Sequence, residues 1–318
     1  MGLKHDLTHP DHPPIAATAP HMTTETSREM ALHALQIDFH SAIRDRGYRL
    51  FISIPARPAP PQGHPVVYLI DGNLHFGIAV DTMRIQACWP DVRDAVIVGI
   101  GYPTDRVARA LGLRMDDLTT PLGDALRQVP WFRKMPPAEN GYGKMDDYLR
   151  MIDEEVKPRV AGLVAVDPQD QTLMGHSLGG LTTLHALLRR TASFQQFVAI
   201  SPSIWWNDRE VLAHEAGFAA RVQAGEVRAR LLITVGELES AVRYPQAGAH
   251  TLPGTREDFE QMAAYCRMVP DATELGARLA TLQRPGFAVQ TFVHPDDDHN
   301  TVPPAGVARG IRFALRRR

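Results

Sequence analysis

Apolar residues gather into short runs along this chain, and the segments between them change period. Six runs stand out: Pro65-Val66-Val67-Tyr68-Leu69-Ile70, Ala95 to Gly101, Gln171 to Met174, Phe197 to Ile200, Arg230 to Val235 and Ala288 to Val293. Most are continuously apolar and rich in β-branched residues rather than alternating. That pattern predicts strands covered on both faces, as in a parallel sheet. The segments Gly77 to Cys88, Asp146 to Val160, Leu181 to Ala192, Phe259 to Met268 and Thr273 to Arg284 read as helices, and Ala305 to Arg318 as a closing helix. Ahead of the first run, Met30 to His40 and Tyr48 to Pro55 flank the polar turn Arg44-Asp45-Arg46-Gly47, which predicts an antiparallel hairpin opening the sheet. Strand and helix in alternation give an α/β fold, with a mostly parallel central sheet and helices on both faces. There is no internal repeat and no second core, so residues 29–318 read as a single domain.

Two stretches depart from this rhythm. Residues 1–28 carry Pro10, Pro13, Pro14 and Pro20 among His5, His9, His12 and His21. Proline blocks regular structure and the histidine spacing is irregular, so this is expected to be a flexible tail rather than a metal site. It has no apolar h-region, so a cytoplasmic location is expected. The second stretch, about 102–143, follows a central strand and holds charged residues, prolines and the pair Trp131-Phe132. Long excursions at that place build lids and substrate walls, and the aromatic pair favours a packed lid here.

Composition adds mainly exclusions. Over 318 residues, 34 basic side chains stand against 36 acidic ones, a formal charge of −2 that points to neither nucleic acid nor a membrane surface as partner. No apolar run approaches the ~20 residues of a membrane span. Cys88 and Cys266 are far apart and form no metal or redox motif.

The chemistry centres on Leu173-Met174-Gly175-His176-Ser177-Leu178-Gly179-Gly180. This is Gly-x-Ser-x-Gly between a strand and a helix, the arrangement of a nucleophile elbow. A serine nucleophile needs a base, an acid and an oxyanion hole. In an open parallel sheet these should sit at the carboxyl ends of strands. After the sixth run lies His294-Pro295-Asp296-Asp297-Asp298-His299-Asn300, where His299 is the preferred base and His294 the alternative. The aspartates have no glycine-punctuated loop that would suit a cation, so neither metal nor cofactor is called for. After the fifth run come two candidate acids, Glu237 and Glu239. Oxyanion donors are expected from the N–H of Leu178 and from the Asp71-Gly72-Asn73 loop, at Gly72 or Asn73.

Four segments carry a family resemblance: Tyr68 to Asn73; Met174 to Gly180; Ile200-Ser201-Pro202-Ser203-Ile204-Trp205-Trp206; and His299 to Pro303 followed by Arg309 to Phe313. In these the chain resembles the putative-esterase family of α/β-hydrolases, and within it the enterochelin-type siderophore esterases. The resemblance implies an α/β-hydrolase fold, with Ser177 as nucleophile, His299 as base and Glu239 favoured over Glu237 as acid. It also implies that Arg114, Trp205 and Trp206 wall the substrate site. The activity implied is serine carboxylic-ester hydrolysis of a small-molecule ester through an acyl-enzyme, with a tri-catecholate lactone as substrate on the nearest branch. An acyltransferase or thioesterase would use the same acyl-enzyme. A non-catalytic ligand-binding protein on a hydrolase scaffold is the alternative of another class. The sequence leaves the oligomeric state open.

Overall fold

The structure, a computed structural model, describes residues 34–135, 137–241, 254–282 and 284–317. The tail expected over 1–28 lies outside them. Eight strands form one sheet: β1 (Ala34–Ser41), β2 (Arg46–Ser53), β3 (His64–Ile70), β4 (Val96–Gly101), β5 (Val166–His176), β6 (Gln196–Ile200), β7 (Ala229–Gly236) and β8 (Phe287–His294). Their order across the sheet is β1-β2-β4-β3-β5-β6-β7-β8. The β1–β2 hairpin is antiparallel, β2 pairs antiparallel with β4, and every later pairing is parallel. The chain steps from β3 to β4 on one side and then returns past β3 to β5 on the other. At such a reversal the loops part at the carboxyl ends of the strands and leave a crevice there.

Period-two alternation distributes the core over both faces. Val66, Tyr68 and Ile70 of β3 face one apolar cluster, together with Tyr148, Leu184 and Leu275 from helices Met145–Met151, Leu178–Arg190 and Met268–Ala280. Val67 and Leu69 face the other, with Phe76, Val80 and Met83 of helix Gly72–Gln86 and Val307 and Ile311 of helix Val302–Leu315. Burying both faces is why these strands read as continuous apolar runs.

Helix boundaries depart from the sequence expectations in one direction. The helices expected from Gly77, Leu181, Phe259, Thr273 and Ala305 begin at Gly72, Leu178, Arg256, Met268 and Val302. Pro270 and Pro303 fall in first turns, where a missing N–H costs nothing. The helix expected over Asp146 to Val160 is Met145–Met151, a π-helical turn Ile152–Val156 and then Lys157–Ala161. Pro158 removes a hydrogen bond there and would crowd the carbonyl of Glu154, and the wider turn relieves both. The closing helix stops at Leu315, and Arg316 pairs with Val92 instead.

The stretch after β4 contains helices Val107–Asp117, Asp124–Gln128 and Pro130–Arg133. Its first helix is tied to the opening hairpin through buried charges. Arg44 reaches Asp116 and Asp117, each at 2.8 Å, and Arg46 reaches Asp116 at 2.7 Å. The hydroxyls of Tyr48 and Tyr102 both donate to Asp117, at 2.8 and 2.9 Å. Buried carboxylates are tolerated because nearly every lone pair is matched. Among the described residues no helix is long and apolar enough to cross a membrane.

Candidate active site

Ser177 sits between β5 and helix Leu178–Arg190 with φ 61° and ψ −119°, a conformation that L-residues avoid unless the surroundings hold them in it. The neighbouring glycines are required by close approach. A Cβ on Gly175 would lie 2.3 Å from the carbonyl oxygen of Gly179, and one on Gly179 would lie 3.1 Å from Cγ2 of Ile70. The strain therefore follows from packing the helix start directly onto its own strand.

The strand ends bring Ser177, His299 and Glu239 together. Oγ of Ser177 is 3.0 Å from Nε2 of His299, and Nδ1 of His299 is 2.6 Å from Oε2 of Glu239. The Glu239 carboxylate is almost fully buried, whereas His299 is partly open. The other oxygen of Glu239, Oε1, accepts from the Gly236 N–H at 2.7 Å and from the Ser201 hydroxyl at 2.5 Å. Glu237, the alternative acid, points away: it is exposed and accepts from the Asp296 N–H at 3.2 Å. His294, the alternative base, is buried at the end of β8 against the Phe292 ring, 4.8 Å between centroids, and makes no contact with Ser177. Asp298 caps its own turn by accepting from the N–H groups of Asn300 and Thr301.

Three features were not anticipated from the sequence. Ser203 donates its N–H to the Ser177 carbonyl at 3.1 Å and sets its hydroxyl 3.3 Å from the Ser177 hydroxyl. Ser201, at φ 42°, supports Glu239 from behind. His176 lies against His299 with rings tilted by 40° and 4.6 Å between centroids, and His75 meets His176 edge-on at 5.6 Å. Burial, and then the proximity of His299, His75 and Arg114, holds the His176 imidazole well below its ordinary pKa. Burial likewise lowers His75. All these residues lie in or beside the segments singled out in the sequence, but serine and histidine there carry no spacing signal that assigns them a role.

A cavity of about 450 Å³ opens over the serine. Ser177, Leu178, Ser203, Glu239 and His299 line it, as do Arg114, Trp205 and Trp206. Leu178 is the first residue of its helix, where N–H groups have no intrahelical partner. Gly72 and Asn73 are not part of the lining. Gly72 is packed on Gly99, and the Asn73 side chain is bonded to the backbone of Tyr102 and Thr104. Arg114 is largely committed: its Nη2 lies 2.7 Å from Asp71 and 3.1 Å from the His176 carbonyl. Trp206 is fully buried and donates to Thr120 at 3.1 Å, whereas Trp205 is half-buried. The wall is aromatic. Trp131 of the stretch after β4 meets Trp205 edge-on at 5.7 Å and Tyr265 at 6.0 Å. Cys266 is buried in the same wall, and burial pushes its thiol up to about 12, so it stays protonated.

With this geometry in place, comparison with known proteins is informative. The chain matches the family model described as putative esterase over residues 41–267. It is 34% identical over 275 residues to the ferri-bacillibactin esterase of Bacillus subtilis, covering 85% of this chain and 86% of that protein. It is 32% identical to the siderophore triacetylfusarinine C esterase of Aspergillus fumigatus, over 78% of this chain and 80% of the relative. Among solved structures it resembles the BES protein of Bacillus cereus, with a TM-score of 0.75 and 27% identity over 92% of this chain and 99% of that one. It also resembles the siderophore hydrolase EstA of Aspergillus nidulans, with a TM-score of 0.70 and 29% identity over 96% and 98%. On the family match and on an identity that spans most of its length, the chain belongs to the putative-esterase family, an ester hydrolase on an α/β-hydrolase fold.

Proposed function

We propose that this protein is a serine esterase that opens ester bonds of a siderophore through an acyl-enzyme. The observation that carries this reading is the unbroken relay from Ser177 to His299 at 3.0 Å and from His299 to Glu239 at 2.6 Å, seated on a strained elbow. Ser177 attacks the ester carbonyl while His299 Nε2 takes its proton. Glu239, bonded at Nδ1, fixes the tautomer and stabilises the imidazolium. The negative charge on the carbonyl oxygen is received by the Leu178 N–H at the helix start, a donor contributing on the order of 3 kcal/mol. His299 then protonates the departing alkoxide, and water, activated by the same imidazole, releases the acyl group. The names of the relatives support a siderophore as substrate, and an aromatic wall suits the flat chelating groups of such a molecule.

The test has two parts. A fluorophosphonate probe should label the wild type and not Ser177→Ala. A panel of ferri-bacillibactin, triacetylfusarinine C, enterobactin and simple p-nitrophenyl esters, read by mass spectrometry, should show products that have gained one water per ester opened. Absence of labelling together with absence of hydrolysis across the panel would refute the reading. Products carrying an added alcohol instead of water would make the protein an acyltransferase.

A further inference from the structure

The end of the sheet away from Ser177 carries a second cavity, and its chemistry differs from that of the first. It is about 640 Å³ and lies at the amino ends of β5 to β8. One strand length, about 17 Å at 3.3 Å per residue, separates it from the elbow. Its walls hold five arginines, Arg93, Arg228, Arg230, Arg316 and Arg317, and a single acid, Asp170. That acid is already ion-paired with Arg93. Arg230 stacks on Phe313 at 4.2 Å. Arg228, Arg316 and Arg317 have no carboxylate partner among the described residues.

The frame is fixed rather than loose. The Arg317 N–H donates to the Asp91 carbonyl at 2.7 Å and the Arg93 N–H to the Leu315 carbonyl at 3.0 Å, so the segment bearing two of the arginines is zipped to Asp91-Val92-Arg93. The carboxamides agree in polarity. Oε1 of Gln195 accepts from the Gln171 N–H at 2.9 Å, and Oε1 of Gln196 accepts from the Thr172 hydroxyl at 3.3 Å. Both of these oxygens already receive a hydrogen bond. The charged side chains on the walls are five guanidinium groups against one carboxylate. Gathering Arg228, Arg316 and Arg317 costs repulsion that a multiply charged anion would relieve, and planar guanidinium forks match phosphate and carboxylate oxygens. The volume falls within the roughly 300–1,000 Å³ of small-molecule sites.

We propose that this cleft binds a small polyanion bearing several phosphate or carboxylate groups, at a site separate from the ester-cleaving one. The probe is inorganic tripolyphosphate, titrated calorimetrically into the full chain at physiological salt. Saturable one-to-one binding is expected. It should weaken by on the order of tenfold or more in Arg228→Glu/Arg317→Glu and in the milder Arg228→Gln/Arg317→Gln. Hydrolysis of p-nitrophenyl butyrate should be unchanged in both, which also reports that they fold. The control Arg127→Glu/Arg150→Glu should bind as the wild type does. No saturable binding, or an equal loss in the control, overturns the proposal. Tighter binding per phosphate to a single-stranded oligonucleotide than to tripolyphosphate also overturns it and assigns the cleft to nucleic acid.

Discussion

Replacing Glu239 by glutamine should damage the enzyme more than its near-identical shape suggests, and the surroundings say why. The amide must choose an orientation. The Oε1 position receives the Gly236 N–H at 2.7 Å and the Ser201 hydroxyl at 2.5 Å. A backbone N–H cannot turn away, so the carbonyl oxygen of the glutamine must occupy that position. Its NH2 is then left facing Nδ1 of His299, where a carboxylate oxygen stood at 2.6 Å. Nδ1 must become the acceptor, and the imidazole proton moves to Nε2, the nitrogen 3.0 Å from Ser177. In that tautomer His299 cannot take the serine proton. Reversing the tautomer would set two N–H groups against each other in a buried place. Loss of the correct tautomer in a serine triad costs about 10³–10⁴ in kcat, which corresponds to roughly 4–5.5 kcal/mol. Steady-state hydrolysis of p-nitrophenyl butyrate by Glu239→Gln, Glu239→Ala and Glu237→Gln measures this. Glu239→Gln is expected to fall by that factor with KM little changed, and Glu237→Gln to stay within about twofold of the wild type, as a surface change would. Alanine leaves Nδ1–H free to meet water, so Glu239→Ala should retain more activity than Glu239→Gln. A Glu239→Gln enzyme within about tenfold of the wild type, or equal losses at Glu237, would refute the argument.

Other outcomes follow from the same contacts. Ser201→Ala removes a donor to Glu239 and should lower kcat about tenfold while costing about 1–2 kcal/mol of stability in urea denaturation; an unchanged kcat would deny Ser201 its supporting role. Asp71→Asn unpairs the buried Arg114 guanidinium, 2.7 Å away, and should cost about 3–5 kcal/mol by the same assay; part of that loss should return in Asp71→Asn/Arg114→Met. Stability should also fall with acidity below pH 6.5. His75 and His176 are buried with pKa values held down by burial, so below that pH the unfolded chain binds protons that the folded one refuses. Each contributes up to about 1.4 kcal/mol per pH unit between 6.5 and its own folded pKa; thermal melts from pH 8 down to pH 5 should show this slope, and His75→Asn should flatten it. Finally, only the exposed Cys88 should react promptly with a disulfide reagent, because Cys266 is buried with its thiol at about 12; two fast thiols in the native protein would contradict the packing of the aromatic wall.

The sequence made the sheet legible because its central strands are apolar on both faces, and a run such as Val66 to Ile70 has few other uses. It made the elbow legible because a serine between close-packed glycines reflects a backbone constraint. It could not separate Glu237 from Glu239. Both follow β7, and in an extended chain residues two apart share a side. The chain instead turns into a 3₁₀ segment, Glu237–Ser240, directly after Gly236. At three residues per turn, positions two apart diverge by roughly 240°. The third residue folds back onto the Gly236 N–H and inward to His299, and Glu237 swings out toward Asp296. The early helix starts were missed for a related reason. Glycine and proline are read as breakers, but Gly72, Pro270 and Pro303 all lie in first turns, where they break nothing. Ser201 was hidden because its use depends on a positive φ that no single-residue preference announces.

The contact between His176 and His299 bears on the proposed chemistry in a way that the triad distances alone do not. When His299 takes the serine proton it becomes cationic, and His176 lies 4.6 Å from it. Were His176 also charged, the repulsion would be about 3–4 kcal/mol at an effective dielectric constant of 20, or about two to three powers of ten in rate. Burial removes that cost by keeping His176 neutral. Arg114 stands nearby as well, but its charge is answered by Asp71 at 2.7 Å. His176 and the Arg114–Asp71 ion pair therefore act together. They keep positive charge away from His299, so that Glu239 is left to favour the imidazolium without competition.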